Sequence, residues 1–113
     1  MKDIETYDDC LFLIEKFYDQ LLVDERISHF FTTLPLVEHI PKVADFWAFI
    51  LIDKPGYTGN MMQAHAKLHL KGKDFDQWLK LFHETIDKYF SGDKAKLAKE
   101  RSTLIAWTMR AKI

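Results

Sequence analysis

At 113 residues the chain is near the common size for one hydrophobic core, so a single domain over residues 1–113 is expected. Sixteen basic side chains against 17 acidic ones argue against strong electrostatic attraction to nucleic acid or an anionic membrane, and no apolar run reaches the roughly 18 residues of a membrane span. Cys10 is the only cysteine, which excludes an internal disulfide; with no signal-like apolar core in Met1–Glu5, the expected address is the cytoplasm.

The aromatic share is 14%. So many rings in a short chain suggest either a dense core or a pocket with aromatic walls, and composition leaves both open. Taken in order, the chain reads as helices joined by short loops. Asp8-Asp9 suit a helix N-terminus. After them Cys10, Leu13, Ile14, Phe17, Tyr18, Leu21 and Leu22 recur at helical spacing on one face. Tyr18 therefore lies inside the apolar stripe. Asp24 to Pro35 is less regular, with short turns expected around Ile27, Phe30 and Phe31.

A second helix is expected over about Pro41 to Ile52, with Val43, Phe46, Trp47 and Ile50 inward. Proline suits only the first turn of a helix, so Pro41 puts His39 at or just before the start. Pro41 is expected to distort this region and swing His39 away from the face it would otherwise extend. Pro55, Gly56 and Gly59 make Asp53 to Asn60 a loop. A short helix is expected from about Met61 to Leu70. The next starts near Asp74, a plausible cap, with a stripe of Phe75, Trp78, Leu79, Phe82, Ile86, Tyr89 and Phe90, and Ser91-Gly92 stops it. A last helix over about Lys94 to Arg110 is expected to bury Leu97, the stem of Arg101 or its neighbours, Leu104, Ile105 and Thr108. The basic run from Lys94 to Arg101 alternates with Ala and Leu and reads as a solvated helix face. Strand-like alternation is absent, so the class is all-α, with packing unlike a simple bundle because the helices differ in length.

His65 and His69 are four apart and can share one side of a helix. Zinc at that pair lacks support: Ala66 stands where a hydrolytic site needs Glu, and no Cys or carboxylate cluster completes four ligands. His65 instead follows a glycine-bearing loop and lies across from a run of aromatics, as an axial ligand to haem iron would. Taken singly, Tyr18 and Trp78 are more often core residues than site residues. Taken together, a phenol O–H and an indole N–H on separate helices can converge on one point. Dioxygen on ferrous haem becomes partly anionic, and such donors would stabilise it. A hydrogen bond to a charged group contributes roughly 1.5–3 kcal/mol, and two would slow ligand escape by about two to four decades at about 1.4 kcal/mol per tenfold.

One ordered series carries a more specific signal. It runs Phe17-Tyr18, Phe31, His39 eight residues before Trp47 in Asp45-Phe46-Trp47, Tyr57-Thr58-Gly59 with His65 six residues on, and Phe75-x-x-Trp78-Leu79-x-Leu81-Phe82. In this order and spacing the set resembles the truncated haemoglobins, specifically the group III branch, over about Leu11 to Phe90. The resemblance implies a globin-like two-over-two helical sandwich around one haem b. It implies His65 as the proximal iron ligand, Tyr18 and Trp78 as distal hydrogen-bond donors, and His39 in the distal histidine position. Phe31 would pack on the porphyrin face with Val43 and Phe46 beside it, Phe75 would join the cofactor-binding set, and Lys42 would pair with a propionate or stay a free surface lysine.

The expectation is a cytoplasmic haem protein that binds dioxygen, nitric oxide or carbon monoxide at ferrous iron. The polar distal pair suggests retention of oxygen, with nitric oxide dioxygenase or peroxidase-like chemistry rather than transport. No flavin or nicotinamide fingerprint occurs, so such chemistry needs an external reductase. The competing readings are a haem-based ligand sensor and a cofactor-free helical interaction domain whose aromatics are all core.

Overall fold

The computed structural model describes residues 1–57, 59, 65 and 68–112. Among these residues the secondary structure is helical throughout. The helices are α1 (Tyr7–Leu21), α2 (Leu36–Ile52), α3 (Gly72–Tyr89) and α4 (Asp93–Lys112), with a 3-10 turn at Ser28–Phe30. α1 packs on α2 and α3 on α4, while α1–α3 and α2–α4 contacts join the two pairs. This is the two-over-two arrangement of a globin-like sandwich. Of the short helix expected over about Met61 to Leu70, most lies outside the described residues. His65 is helical, and Leu68 and His69 form a turn.

α1 starts on a reciprocal cap. The Asp9 backbone N–H donates to Thr6 Oγ1 at 3.2 Å, and the Thr6 N–H donates back to the Asp9 carboxylate at 3.1 Å. Asp9 thus serves the N-terminus from the third helical position. The stripe Cys10, Leu13, Ile14, Phe17, Tyr18 and Leu21 is buried, as its period requires.

α2 begins five residues earlier than the sequence suggests. The Pro35 carbonyl accepts from the N–H groups of Glu38 (3.1 Å) and His39 (2.9 Å), so the first turn closes before Pro41 is reached. Pro41 cannot donate to the carbonyl of Val37, its i−4 partner. Val37 is 91% exposed, so water can serve that carbonyl. The helix therefore runs through Pro41, and His39 sits within its first turns instead of being swung aside.

α3 begins at Gly72, two residues before the expected cap. Asp74 acts from inside the first turn, accepting from the Lys71 N–H at 2.8 Å. Phe75, Trp78, Phe82 and Ile86 are buried along it.

α4 departs most from expectation. Its buried face is Ala95, Ala98, Ser102, Ala106 and Met109, whereas Leu104 and Trp107 are 58% and 63% exposed and Arg101 and Thr108 are also exposed. Leu97 and Ile105 are half-buried. Small side chains let one helix approach its neighbours closely, so the large apolar residues are turned outward. The N-terminus of α4 is capped by Asp3, whose carboxylate accepts from Lys94 N–H (2.9 Å) and Ala95 N–H (2.8 Å). Gly92, at φ 130°, leaves room for this: a Cβ there would stand 2.6 Å from the Asp3 carboxyl carbon.

Candidate functional site

The two helix pairs and the segment after α2 enclose a cavity of about 140 Å³ whose lining is largely apolar. α1 contributes Phe17 and Tyr18. α2 contributes His39, Lys42, Val43, Phe46 and Trp47, which follow one another at three- and four-residue spacing along one face. Tyr57, Gly59 and His65 come from the following segment, Trp78 from α3 and Ile105 from α4.

The walls are set by ring-on-ring packing. Phe17 meets Trp78 and Phe82 nearly edge-on, with centroids 5.6 and 4.8 Å apart. Trp78 stacks on Phe82 at 5.6 Å and an interplanar angle of 13°. Phe46 meets Tyr57 at 5.1 Å, and Gly59 permits that placement because a Cβ there would lie 3.0 Å from the Tyr57 ring. His65 is half-buried, with its ring edge-on to Trp78 at 6.3 Å and 82°.

One hydrogen bond organises the polar side of the cavity. The Tyr18 hydroxyl lies 2.6 Å from Nε2 of His39. Burial pushes the Tyr18 phenol well above its usual range, so it carries its proton. Burial first, then the charges of His65 and Lys42, hold the His39 imidazole below its usual range, so it is neutral. With both groups neutral, the phenol O–H donates and Nε2 accepts, which assigns the remaining imidazole proton to Nδ1.

The donor set fits a haem. No group of three or more His, Cys, Asp or Glu that could hold a bare metal ion occurs among the described residues. His65 and His39 are the only such side chains among the lining residues, and an imidazole in an aromatic cleft suits a metal already chelated by a macrocycle. Lys42, exposed beside the cavity, can meet a carboxylate at the edge of such a group.

Seven of the nine residues singled out from the sequence meet at this cavity: His65, Tyr18, Trp78, His39, Lys42, Val43 and Phe46. Phe31 and Phe75 are not among its lining residues. Phe31 is 2% exposed and stands edge-on behind Tyr18 at 6.1 Å. Phe75 is buried in a separate cluster with Leu70 and Met109. His69 is exposed at φ 58° and takes no part in the lining. Sequence reasoning used Phe17, Trp47, Tyr57 and Gly59 only as members of a pattern and placed Ile105 in a core stripe. Trp47 follows Val43 by one turn and was open to detection; Ile105 gave no such signal.

Comparison with known proteins bears on this geometry. A family described as "Bacterial-like globin" matches residues 8–111. A group 3 truncated hemoglobin of Campylobacter jejuni is 27% identical over 101 residues, spanning 83% of this chain and 80% of that protein. A group 1 truncated hemoglobin of Tetrahymena pyriformis is 34% identical over 61 residues, 53% of this chain and 50% of that one. The crystal structure of the group III truncated hemoglobin from Campylobacter jejuni superposes with a TM-score of 0.88 at 25% identity, covering 99% of this chain and 94% of that one.

Proposed function

We propose that this chain, which belongs to the bacterial-like globins and resembles the group III truncated hemoglobins, binds small diatomic ligands through haem, and that its own residues do this as follows. Haem b, when bound, supplies a ferrous iron that takes dioxygen, nitric oxide or carbon monoxide. His65 would hold the group in the cleft as its protein ligand, Val43 and Phe46 would wall it, and the Lys42 ammonium would pair with a propionate.

Trp78, Tyr18 and His39 act on the ligand. Trp78 lines the cavity, so its N–H can serve a partly anionic ligand there. Tyr18 offers its O–H only by turning it away from His39, since the phenol has one proton to give. Together these donors favour retention of oxygen over its transport. Retention suits redox chemistry with nitric oxide or peroxide, with electrons from a separate cytoplasmic reductase. The observation that carries this reading is the convergence of His65, His39, Tyr18 and Trp78 on one apolar cavity.

The test is the visible spectrum after haem reconstitution, in ferric, ferrous and carbon monoxide forms. A stoichiometric Soret band that shifts on reduction and on carbon monoxide is expected, and His65→Ala should lose it. A folded but colourless protein, indifferent to His65→Ala, would return the molecule to the class of cofactor-free helical domains.

A further inference from the structure

We propose that Tyr18 and His39 form a proton-coupled electron donor: on reaction with hydrogen peroxide, Tyr18 supplies one electron and its phenolic proton passes to Nε2 of His39. This rests on the haem reading above.

A phenol that loses an electron becomes a strong acid, and in an apolar cavity the bare radical cation has no water to receive its proton. Charge without solvation is costly there. A base already hydrogen-bonded to the hydroxyl removes that obstacle, because the proton moves along an existing contact as the electron leaves. The 2.6 Å separation of Tyr18 Oη and His39 Nε2 lies within direct transfer range. Nδ1 already carries a proton, so the product is a neutral phenoxyl beside an imidazolium. Half-buried His39 can share that charge with water, which Tyr18, 5% exposed, cannot reach as readily.

The surroundings suit a persistent radical. Phe17 and Phe31 meet the Tyr18 ring edge-on at 5.8 and 6.1 Å, fixing its orientation and shielding it from collision with other molecules. Trp78 is as close to the cavity, but the imidazole beside it is His65, which the haem reading assigns to the iron.

The electron count closes. Hydrogen peroxide takes two electrons and two protons to become two waters, with the O–O bond breaking. One electron comes from the haem and one from Tyr18, and solvent supplies the two protons. Two equivalents of a one-electron reductant of the ascorbate class complete the cycle: one returns an electron to Tyr18 while His39 returns the proton, and the other restores the electron taken from the haem, with which the second water is released. His39 is thereby a positioning and proton-holding residue, and Tyr18 the redox-active one.

Freeze-quench electron paramagnetic resonance of the ferric, haem-loaded protein after hydrogen peroxide tests this. A neutral tyrosyl signal is expected. It should disappear in Tyr18→Phe and persist in Tyr57→Phe, which removes the other tyrosine of the cavity wall. In His39→Leu the yield should fall several-fold, and the g-value sensitive to hydrogen bonding should move in whatever radical remains. A tyrosyl signal that persists in Tyr18→Phe, or one unaltered in yield and g-value in His39→Leu, overturns the proposal while the Soret band stays intact. Absence of the Soret band in the unmodified protein overturns the haem reading instead, and this inference with it.

Discussion

The cavity wall and the seam between α3 and α4 are built from opposite ends of the side-chain range. The wall is made of large rings with polar tips, and two of those tips, the Trp78 N–H and the Tyr18–His39 pair, border open space. The seam buries Ala95, Ala98, Ser102 and Ala106, and its polar groups are satisfied within the protein. There His83 Nε2 lies 3.1 Å from the Lys99 carbonyl and 3.2 Å from the hydroxyls of Ser102 and Thr103. Arg110 crosses over Gly72 to reach Asp76 at 2.6 Å; a Cβ on Gly72 would come within 2.8 Å of the guanidinium. The lesson is a division of labour: groups facing space should register in ligand behaviour, and groups facing each other should register in stability.

The sharpest test of that division is Trp78→Phe. Phenylalanine keeps a ring against Phe17 and Phe82 but removes the N–H together with part of the indole. A donor to a charged ligand contributes about 1.5–3 kcal/mol, so dioxygen should leave the ferrous protein roughly one to two decades faster. The lost volume at a residue 7% exposed should lower the melting temperature only modestly, since that side of the ring borders the cavity. Stopped-flow dissociation beside a melting curve reads both, and a large fall in melting temperature with unchanged release would break the comparison from the cavity side.

Ala98→Leu attacks it from the seam. Ala98 is 0% exposed on the small face of α4, and extra methyl groups there force the helix outward. Overpacking of this kind costs about 1–3 kcal/mol, to be read as a lower denaturation midpoint in urea. The spectrum of the haem-loaded protein should be unaltered. An altered ligand-release rate instead would mean that α4, through Ile105, transmits its position to the cavity.

How much of this was open to a reader of the sequence differs between the two regions for the same reason. Along α1 and α3 the large apolar residues are also the buried ones, so period and size agree and Phe17, Tyr18 and Trp78 fall where the pattern puts them. The site residues on α2 share a face for the same cause. On α4 the two criteria disagree: weighting by size selects Leu104, while close approach selects Ala98 and Ala106. Pro41 misled because its cost depends on whether the carbonyl four residues back can reach water, and the exposure of Val37 is a tertiary fact. Phe31 and Phe75 read as cofactor contacts by family pattern, yet one backs Tyr18 and the other seals a second cluster. The Tyr18–His39 contact joins residues 21 apart on two helices, and no local rule supplies it.

Asp3 is the least legible contact of all, because it caps a helix that begins 90 residues downstream, at Asp93. Its pKa shows the balance. Burial acts first and pushes the carboxyl up, but the N–H groups of Lys94, Ala95 and Ile4 outweigh it and hold the group below its ordinary value. A carboxyl depressed in the native state adds stability above its unfolded pKa, about 3.9, and that share is lost as the pH falls through the lower native value. Asp3→Ala should therefore lower the unfolding free energy by about 0.5–2 kcal/mol at neutral pH, as removal of a helix cap does. The gap between the two proteins should then narrow steadily in urea titrations taken below about pH 4. Should it stay constant into acid, the charge on Asp3 would contribute nothing, and the residue would hold Ser91–Gly92 and the α4 N-terminus by shape alone.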